Sequence, residues 1–437
     1  MNIVLATNTF TSHVGGVARS VEAFTEEYRR RGHRVLVVAP EFPDTLPDEV
    51  DVLRVPAIQN FNASDFSIAL PVPTGLSERL QEFEVDIIHS QHPCLLGMTA
   101  VRMARAFQVP LVFTHHTLYE QYTHYVPGNS DLMQRFIIEL GTRYANLCDQ
   151  VIAPSQSVRE LLLRRGVTAP VEVVPTGVRV ENFARGDGPA LRRRLHIPQE
   201  VFVVGHMGRL APEKNLAFLA TAVARFLQSH SQAIFLLVGA GPFEGEIRAI
   251  CTAHEVSDRL IVAGILQGKD LADALGAMDV FAFASISETQ GMVLTEAMAA
   301  GTPVVALDAS GAREVVKDKI NGRLLHDATE ADFAIALAWV HDSPVERRAQ
   351  LVAAARAMAE SFSLENTAER ALACYEMLQQ ESPDNEGVGH KNGDKGGEQG
   401  WEQVMRFVAA EWEVLRTLTQ AGDEALSGAP RKEQSHA

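Results

Sequence analysis

The sequence predicts an α/β protein of two doubly wound domains facing each other across a cleft. Three observations carry this. Short apolar runs that suit buried parallel strands alternate with stretches of helical periodicity. The pattern recurs in the second half, and each half opens with a strand and a glycine-containing turn. Ligands of such sheets bind beyond the carboxyl ends of the strands, and the motifs singled out below fall at those ends.

In the first half, strands are expected at Ile3–Thr7, Val35–Ala39, Asp86–His89, Leu111–Thr114, Val151–Ala153 and Val171–Val174, with helical periodicity over Ala18–Arg31 and Asp131–Cys148. In the second half they are expected at Val201–Gly205, Ile234–Val238, Leu260–Val262, Val280–Ala284 and Val304–Leu307, separated by helices beginning near Asn215, Phe243, Gly268 and Gly291. Gly177, Gly186, Gly188, Pro189 and Pro198 punctuate the connection between the halves. Phe362–Leu378 reads as an amphipathic helix, Pro383–Gly400 as a glycine-rich flexible linker, and Trp401–Gln420 as one more helix, for which packing onto the body is favoured over a partner or membrane contact. The expected division is 1–180, 195–361, a crossing helix 362–380, a linker 381–400 and a helical extension 401–437.

The 437 residues leave room for two full cores, and 46% hydrophobic with 22% charged residues is ordinary for a globular chain. Cys94, Cys148, Cys251 and Cys374 are far apart and form no C-x-x-C, so they read as small buried hydrophobes of a reducing compartment. Ile3-Val4-Leu5-Ala6 has no basic lead and reads as a strand, not a signal peptide; no apolar run approaches the ~18 residues of a membrane span. A cytoplasmic location is expected, with contact at the inner face of a membrane left open. The net charge of −16 argues against nucleic-acid binding. Residues 1–200 hold 19 arginines, no lysine and 22 acids, so most of the excess negative charge lies further on. The clusters Arg29-Arg30-Arg31, Arg164-Arg165 and Arg192-Arg193-Arg194 read as solvated helix ends, with an anionic membrane surface as the minority reading.

The most informative stretch is Ser287–Gly301, S-E-T-Q-G-M-V-L-T-E-A-M-A-A-G. Helix formers precede Gly301 and Pro303, which end the helix. Gly291 sits at the expected helix start, where unpaired N–H groups favour an anion such as a diphosphate. Glu288 lies in the loop before it, and Glu296 is expected about two turns in. Two acceptor-only carboxylates beside a phosphate cradle suit the hydroxyls of a sugar and a ribose. The plain alternatives are a capping acid for Glu288 and an exposed helix glutamate for Glu296.

This segment resembles the paired-glutamate signature of the retaining family-4 glycosyltransferases, which have the GT-B fold of two Rossmann-like domains. Asn8–Ser20 (N-T-F-T-S-H-V-G-G-V-A-R-S), Gly208–Asn215 (G-R-L-A-P-E-K-N) and Val174–Gly177 (V-P-T-G) agree in order, and the resemblance covers roughly residues 1–380. It implies a hexosyltransferase that uses a nucleotide sugar of the UDP-glucose or GDP-mannose type. Its implied donor-binding residues are Gly15, Gly16, Gly208, Arg209, Lys214, Glu288, Thr289, Gln290, Gly291, Met292 and Glu296, with Glu288 on the hexose, Glu296 on the ribose and Gln290 as a reader of the sugar. It also implies that the helix near 362–380 crosses back onto the first domain.

Sugar transfer leaves new negative charge on a diphosphate, which a metal on an Asp-x-Asp motif or protein cations must stabilise. The chain has no Asp-x-Asp, which leaves Arg209 and Lys214 as candidates, against a reading as surface loop charges. No cofactor and no metal is therefore expected. Gly15-Gly16 lets backbone approach a ligand closely, or is a plain turn. Thr114–Pro127 (T-H-H-T-L-Y-E-Q-Y-T-H-Y-V-P) resembles the acceptor loop of enzymes that glycosylate diacylglycerol and related membrane lipids. There His116 fits the catalytic histidine best; His115 stays open, and Tyr119, Tyr122, His124 and Tyr125 either line an acceptor channel or pack. His89 and His92 with that pair make a weak metal reading, because no carboxylate stands at ligand spacing. A soluble sugar or sugar-phosphate acceptor remains an alternative. A nucleotide-sugar 2-epimerase, a nicotinamide oxidoreductase and a non-enzymatic sensor fit the motifs less well.

Overall fold

The computed structural model describes residues 1–11, 15–42, 49–58, 68–69, 76–118, 120, 131–286, 288–381 and 413–425. The chain divides into two compact units, Met1–Pro175 with Thr367–Ala437, and Thr176–Asn366.

The first unit is built on strands β1 (Asn2–Ala6), β2 (Arg34–Pro40) and β3 (Val52–Val55), a short antiparallel pair β4 (Ala57–Ile58) and β5 (Ile68–Ala69), and then β6 (Ile87–Ser90), β7 (Leu111–Thr114), β8 (Gln150–Ala153) and β9 (Val171–Val173). Seven of them form one sheet in the order β3-β2-β1-β6-β7-β8-β9, all parallel. Strands buried on both faces need unbroken apolar runs, which is why Ile3-Val4-Leu5 and Leu111-Val112-Phe113 were legible. On one face Tyr28, Ala368, Ala371, Leu372 and Tyr375 pack on Ile3, Leu5, Val35 and Val37, so the helix Leu364–Glu381 is part of this unit's core. A buried polar chain fixes it: the Tyr375 hydroxyl lies 2.5 Å from His89 Nδ1 and 3.3 Å from the Tyr28 hydroxyl, and His89 Nε2 lies 2.7 Å from Thr114 Oγ1.

The opposite face includes the C-terminal helix 413–425, whose Val414 and Ala421 join Leu140, Tyr144 and Val101 in a second cluster. Arg143 donates to Gln420 Oε1 at 2.8 Å and Glu424 Oε1 at 2.6 Å, and Arg105 Nε to Glu413 Oε2 at 3.3 Å. Trp401–412 and the 383–400 linker lie outside the described residues.

The second unit holds β10 (Phe202–Met207), β11 (Ala233–Val238), β12 (Leu260–Gly264), β13 (Val280–Phe283), β14 (Val304–Leu307) and β15 (Gly322–Leu325), parallel and ordered β12-β11-β10-β13-β14-β15. In both sheets the first strand sits beside the strand that reverses the order, β1 beside β6 and β10 beside β13, which makes a topological switch point at each. β10 runs to Met207 rather than ending at Gly205. Glycine there marks a packing contact instead of a turn, since a Cβ would stand 2.0 Å from Met278 Sδ.

All three arginine clusters fall in last turns: Arg29 and Arg30 close Gly16–Arg30, Arg164 closes Gln156–Arg164, and Arg192, Arg193 and Arg194 close Gly188–Arg194. Cations complement the negative helix end there, as expected of helix ends. Arg192 is buried and donates to Ala277 O and Asp279 Oδ2, and so cannot serve a surface. No helix among the described residues is long and apolar enough to cross a membrane.

Candidate active site

On the second unit, the switch point gathers the loops after β10 and β13. The first loop is pinned by its backbone: Gly208 N donates to Val238 O and Leu210 N to Ala240 O, each at 3.0 Å, and Leu210 is fully buried. The 3-10 turn Pro212–Lys214 then carries Lys214. Asn215 Nδ2 donates to Ala284 O at 3.2 Å, which ties this loop to the one after β13. Lys214 Nζ pairs with Glu288 Oε1, and both side chains are mostly shielded. Arg209, half of whose side chain is exposed, pairs with Glu213. Ser285 Oγ donates to Glu288 at 3.4 Å, and Gly311 N to the Glu288 carbonyl at 3.2 Å.

Gly291 enters the next helix at φ 71° and ψ 56°, a left-handed conformation that favours glycine. The helix Met292–Ala300 has no side-chain cap and no acid in its first turn, so its positive end is left for an anion. Glu296 is the fifth residue of this helix, about one turn in rather than the expected two. It is also 5% exposed, which removes the reading as a solvated helix glutamate. Thr289 and Met292 stand half-buried on either side of the Gln290–Gly291 step.

Gln290 has a structural use. Its Oε1 accepts from Thr176 N and its Nε2 donates to Thr176 O, both at 2.7 Å, so half of the amide's hydrogen-bonding capacity clamps backbone, a use the sequence did not disclose. The sequence reading also missed His206. It is buried on β10, its Nδ1–H donates to Ala282 O at 2.9 Å, and it lies near the Lys214–Glu288 pair; burial holds its pKa down to about 4. A lone histidine inside an apolar strand gave no signal.

On the first unit, Gly15 precedes the helix Gly16–Arg30, which again has no side-chain cap and no first-turn acid. A Cβ at Gly16 would meet no atom within 4 Å, so nothing in the protein itself demands the missing side chain there. The two histidines after β7 separate. His115 is buried edge-on against Phe113, with centroids 5.7 Å apart, and burial pushes its pKa down to about 3. His116 is half-buried at the strand end, where its Nε2–H donates to Gln91 Oε1 at 2.7 Å at the end of β6. That bond leaves Nδ1 as the acceptor of a neutral ring, and desolvation holds the pKa at about 4. His89 and His92 are used internally, His92 Nδ1 accepting from Asn8 N at 3.1 Å, which gives no support to a metal reading. Tyr119, Tyr122, His124 and Tyr125 lie outside the described residues.

Residues 14–182 match Glycosyltransferase Family 4 and residues 187–358 match Glycosyl transferases group 1. A GDP-mannose-dependent alpha-mannosyltransferase of Mycobacterium tuberculosis is 32% identical over 342 residues, 74% of this chain and 84% of that protein. The chain belongs to glycosyltransferase family 4. An alpha-monoglucosyldiacylglycerol synthase of Streptococcus pneumoniae is 29% identical over 343 residues, 77% of each chain. The crystal structure of Anabaena HepE in complex with UDP-glucose matches with a TM-score of 0.66 at 23% identity, over 86% of this chain and 99% of that one, and shows the shared GT-B fold.

This family-4 glycosyltransferase is a hexosyltransferase, and its second unit offers the chemistry that donor binding needs. There Lys214, the uncapped start of the helix Met292–Ala300 and the shielded carboxylates of Glu288 and Glu296 are groups able to meet negative charge and to accept from hydroxyls. Lys214 and Arg209 are paired with Glu288 and Glu213, so neither cation lacks a countercharge.

Proposed function

We propose that the chain moves glucose or mannose from a nucleotide-diphosphate sugar to a hydroxyl of a membrane lipid such as diacylglycerol, with retention of anomeric configuration and no metal in the transfer. The observation that carries the reading is the Lys214–Glu288 pair beside the uncapped helix Met292–Ala300. Lys214 and the helix end take the diphosphate, Arg209 swings from Glu213 to join them, and Glu288, released, accepts from hexose hydroxyls. Glu296 accepts from the ribose. On the first unit, His116 and Gly16 meet the acceptor side. The acceptor proton passes to the departing phosphate on the same face, so no paired acid and base is required. The lipid acceptor is supported by the likeness to an alpha-monoglucosyldiacylglycerol synthase, and metal independence by a sequence that has Arg209 and Lys214 but no Asp-x-Asp.

The test is to incubate the purified full chain with a panel of nucleotide sugars, with diacylglycerol vesicles or with soluble sugar and sugar-phosphate acceptors, with and without excess chelator. An α-linked glycolipid formed equally well in chelator supports the reading in full. Product only on soluble acceptors removes the lipid, a β-linked product removes retention, and activity lost to chelator and restored by magnesium removes metal independence.

A further inference from the structure

Three residues that the transfer does not use converge at one corner of the second unit. The helix Leu216–Ser229 ends at His230, and the helix Glu330–His341 ends at His341 with Asp342 as its C-cap. We propose that His230, His341 and Asp342 form a zinc site that clamps these two helix ends together.

One ligand atom from each residue lies within 4.8 Å of the others. Zinc holds imidazole nitrogens and carboxylate oxygens at roughly 2.0–2.2 Å, which sets neighbouring donors about 3.3 Å apart in a tetrahedron. The observed separations straddle that value: His341 Nδ1 stands 2.7 Å from Asp342 Oδ1, and His230 Nε2 stands 3.9 Å from the same oxygen. Asp342 is exposed, so a small rotation of its carboxylate equalises them.

His341 Nδ1–H donates to that Asp342 oxygen, so zinc would displace this proton on binding, whereas His230 is already oriented. His230 Nδ1–H donates to Phe226 O at 2.9 Å, which fixes the neutral tautomer and leaves the Nε2 lone pair toward its partners, the arrangement usual for a metal-ligating imidazole. Its ring stacks on Phe226 with centroids 4.2 Å apart, and the His341 ring stands edge-on to Phe202 at 4.9 Å. A hollow lined by Phe202, Gln232, Val340, His341 and Arg348 opens beside His341. Two cations face the same corner: Arg259 Nη1 donates to Leu227 O and His230 O, and Arg348 Nη1 to His341 O. Their charge weakens binding of a cation, and Asp342 supplies the offsetting negative charge. The sequence hid this cluster because His230 and His341 come from different helices far apart in the chain.

The experiment uses the untagged full chain, competing with a chromophoric chelator for zinc chloride. With 15 histidines in the chain, the His230→Gln/His341→Gln double variant defines the background. Wild type is expected to hold one zinc equivalent more than the double variant, each single variant to bind at least about tenfold more weakly, and zinc to raise the urea midpoint of wild type alone. Cobalt(II) should give tetrahedral visible bands in wild type that the double variant lacks. Matching zinc titrations of wild type and the double variant would overturn the site.

Discussion

At the scale of single residues, the Lys214–Glu288 pair sets the sign of several substitutions. Lys214→Ala removes a charge-stabilising donor and leaves Glu288 unneutralised beside an incoming anion. Turnover should fall by at least ~10²-fold, while the far-ultraviolet spectrum stays native; near wild-type turnover would remove Lys214 from the chemistry. Glu288→Gln acts in the opposite direction on binding. It frees Lys214 from a competing partner, so affinity for the nucleoside diphosphate alone should hold or rise while sugar transfer drops. Glu296→Gln keeps the shape of a buried side chain but weakens its acceptor, so there the diphosphate affinity should fall. Calorimetric titration of the two variants with UDP and GDP separates the roles, and the reverse pattern would mean that they are exchanged.

Among elements, the entry to the helix Met292–Ala300 depends on a clamp the sequence did not disclose. Gln290 bonds both backbone groups of Thr176, using one donor and one acceptor of its buried amide. Gln290→Ala removes both of these bonds, at about 1–3 kcal/mol for each buried group, so urea unfolding should show a loss of that order, with turnover falling as Gly291 loses its anchor. A variant with unchanged stability would show that Thr176 finds other partners. The same segment shows what sequence can carry. Glycines, prolines and helix formers marked where the helix begins and ends, because backbone geometry is local, and the unbroken runs Leu111–Thr114 and Val304–Leu307 matched their strands at both ends. Edge strands such as Val52–Val55 and Gly322–Leu325 escaped, since half-buried strands need no continuous apolar run. The direction of a polar side chain was illegible: Gln290 turns to backbone, and of two adjacent histidines only His116 stays within reach of solvent. Such choices are settled by residues distant in the chain, as Thr176 is from Gln290 and Gln91 from His116.

Over the whole molecule, four of the described histidines make stability depend on acid. Burial, above all, holds His89 and His115 near 3 and His116 and His206 near 4, whereas the unfolded chain binds these protons near pH 6.5. Between those limits the unfolded state carries more protons, so stability present at pH 7 is lost as pH falls from about 6.5 toward 4, by up to about 1.4 kcal/mol per histidine per pH unit. The urea midpoint should therefore drop between pH 7 and pH 5, and less steeply in His206→Asn; a flat profile would show that these rings are protonated in place. Three of the four lie in the first unit, which should be the more acid-labile. The proposed lipid acceptor would bring that unit to a membrane. Basic clusters were the minority candidates for this contact; Arg29, Arg30 and Arg164 close helices, and Arg143 is held by Gln420 and Glu424. What the helix Asp131–Ala145 leaves outward is Asp131, Leu132 and Arg135, with Met133, Phe136 and Ile137 half-buried behind them. Each basic residue near an anionic leaflet is worth about 1 kcal/mol, too little from one arginine to hold a chain of charge −16 at a membrane. Apolar insertion should then dominate. Flotation is expected with neutral as well as anionic vesicles, with weak salt dependence, and Leu132→Asp should reduce it where Arg135→Gln does not. Binding that requires anionic lipid and vanishes at high salt would return the contact to the arginines.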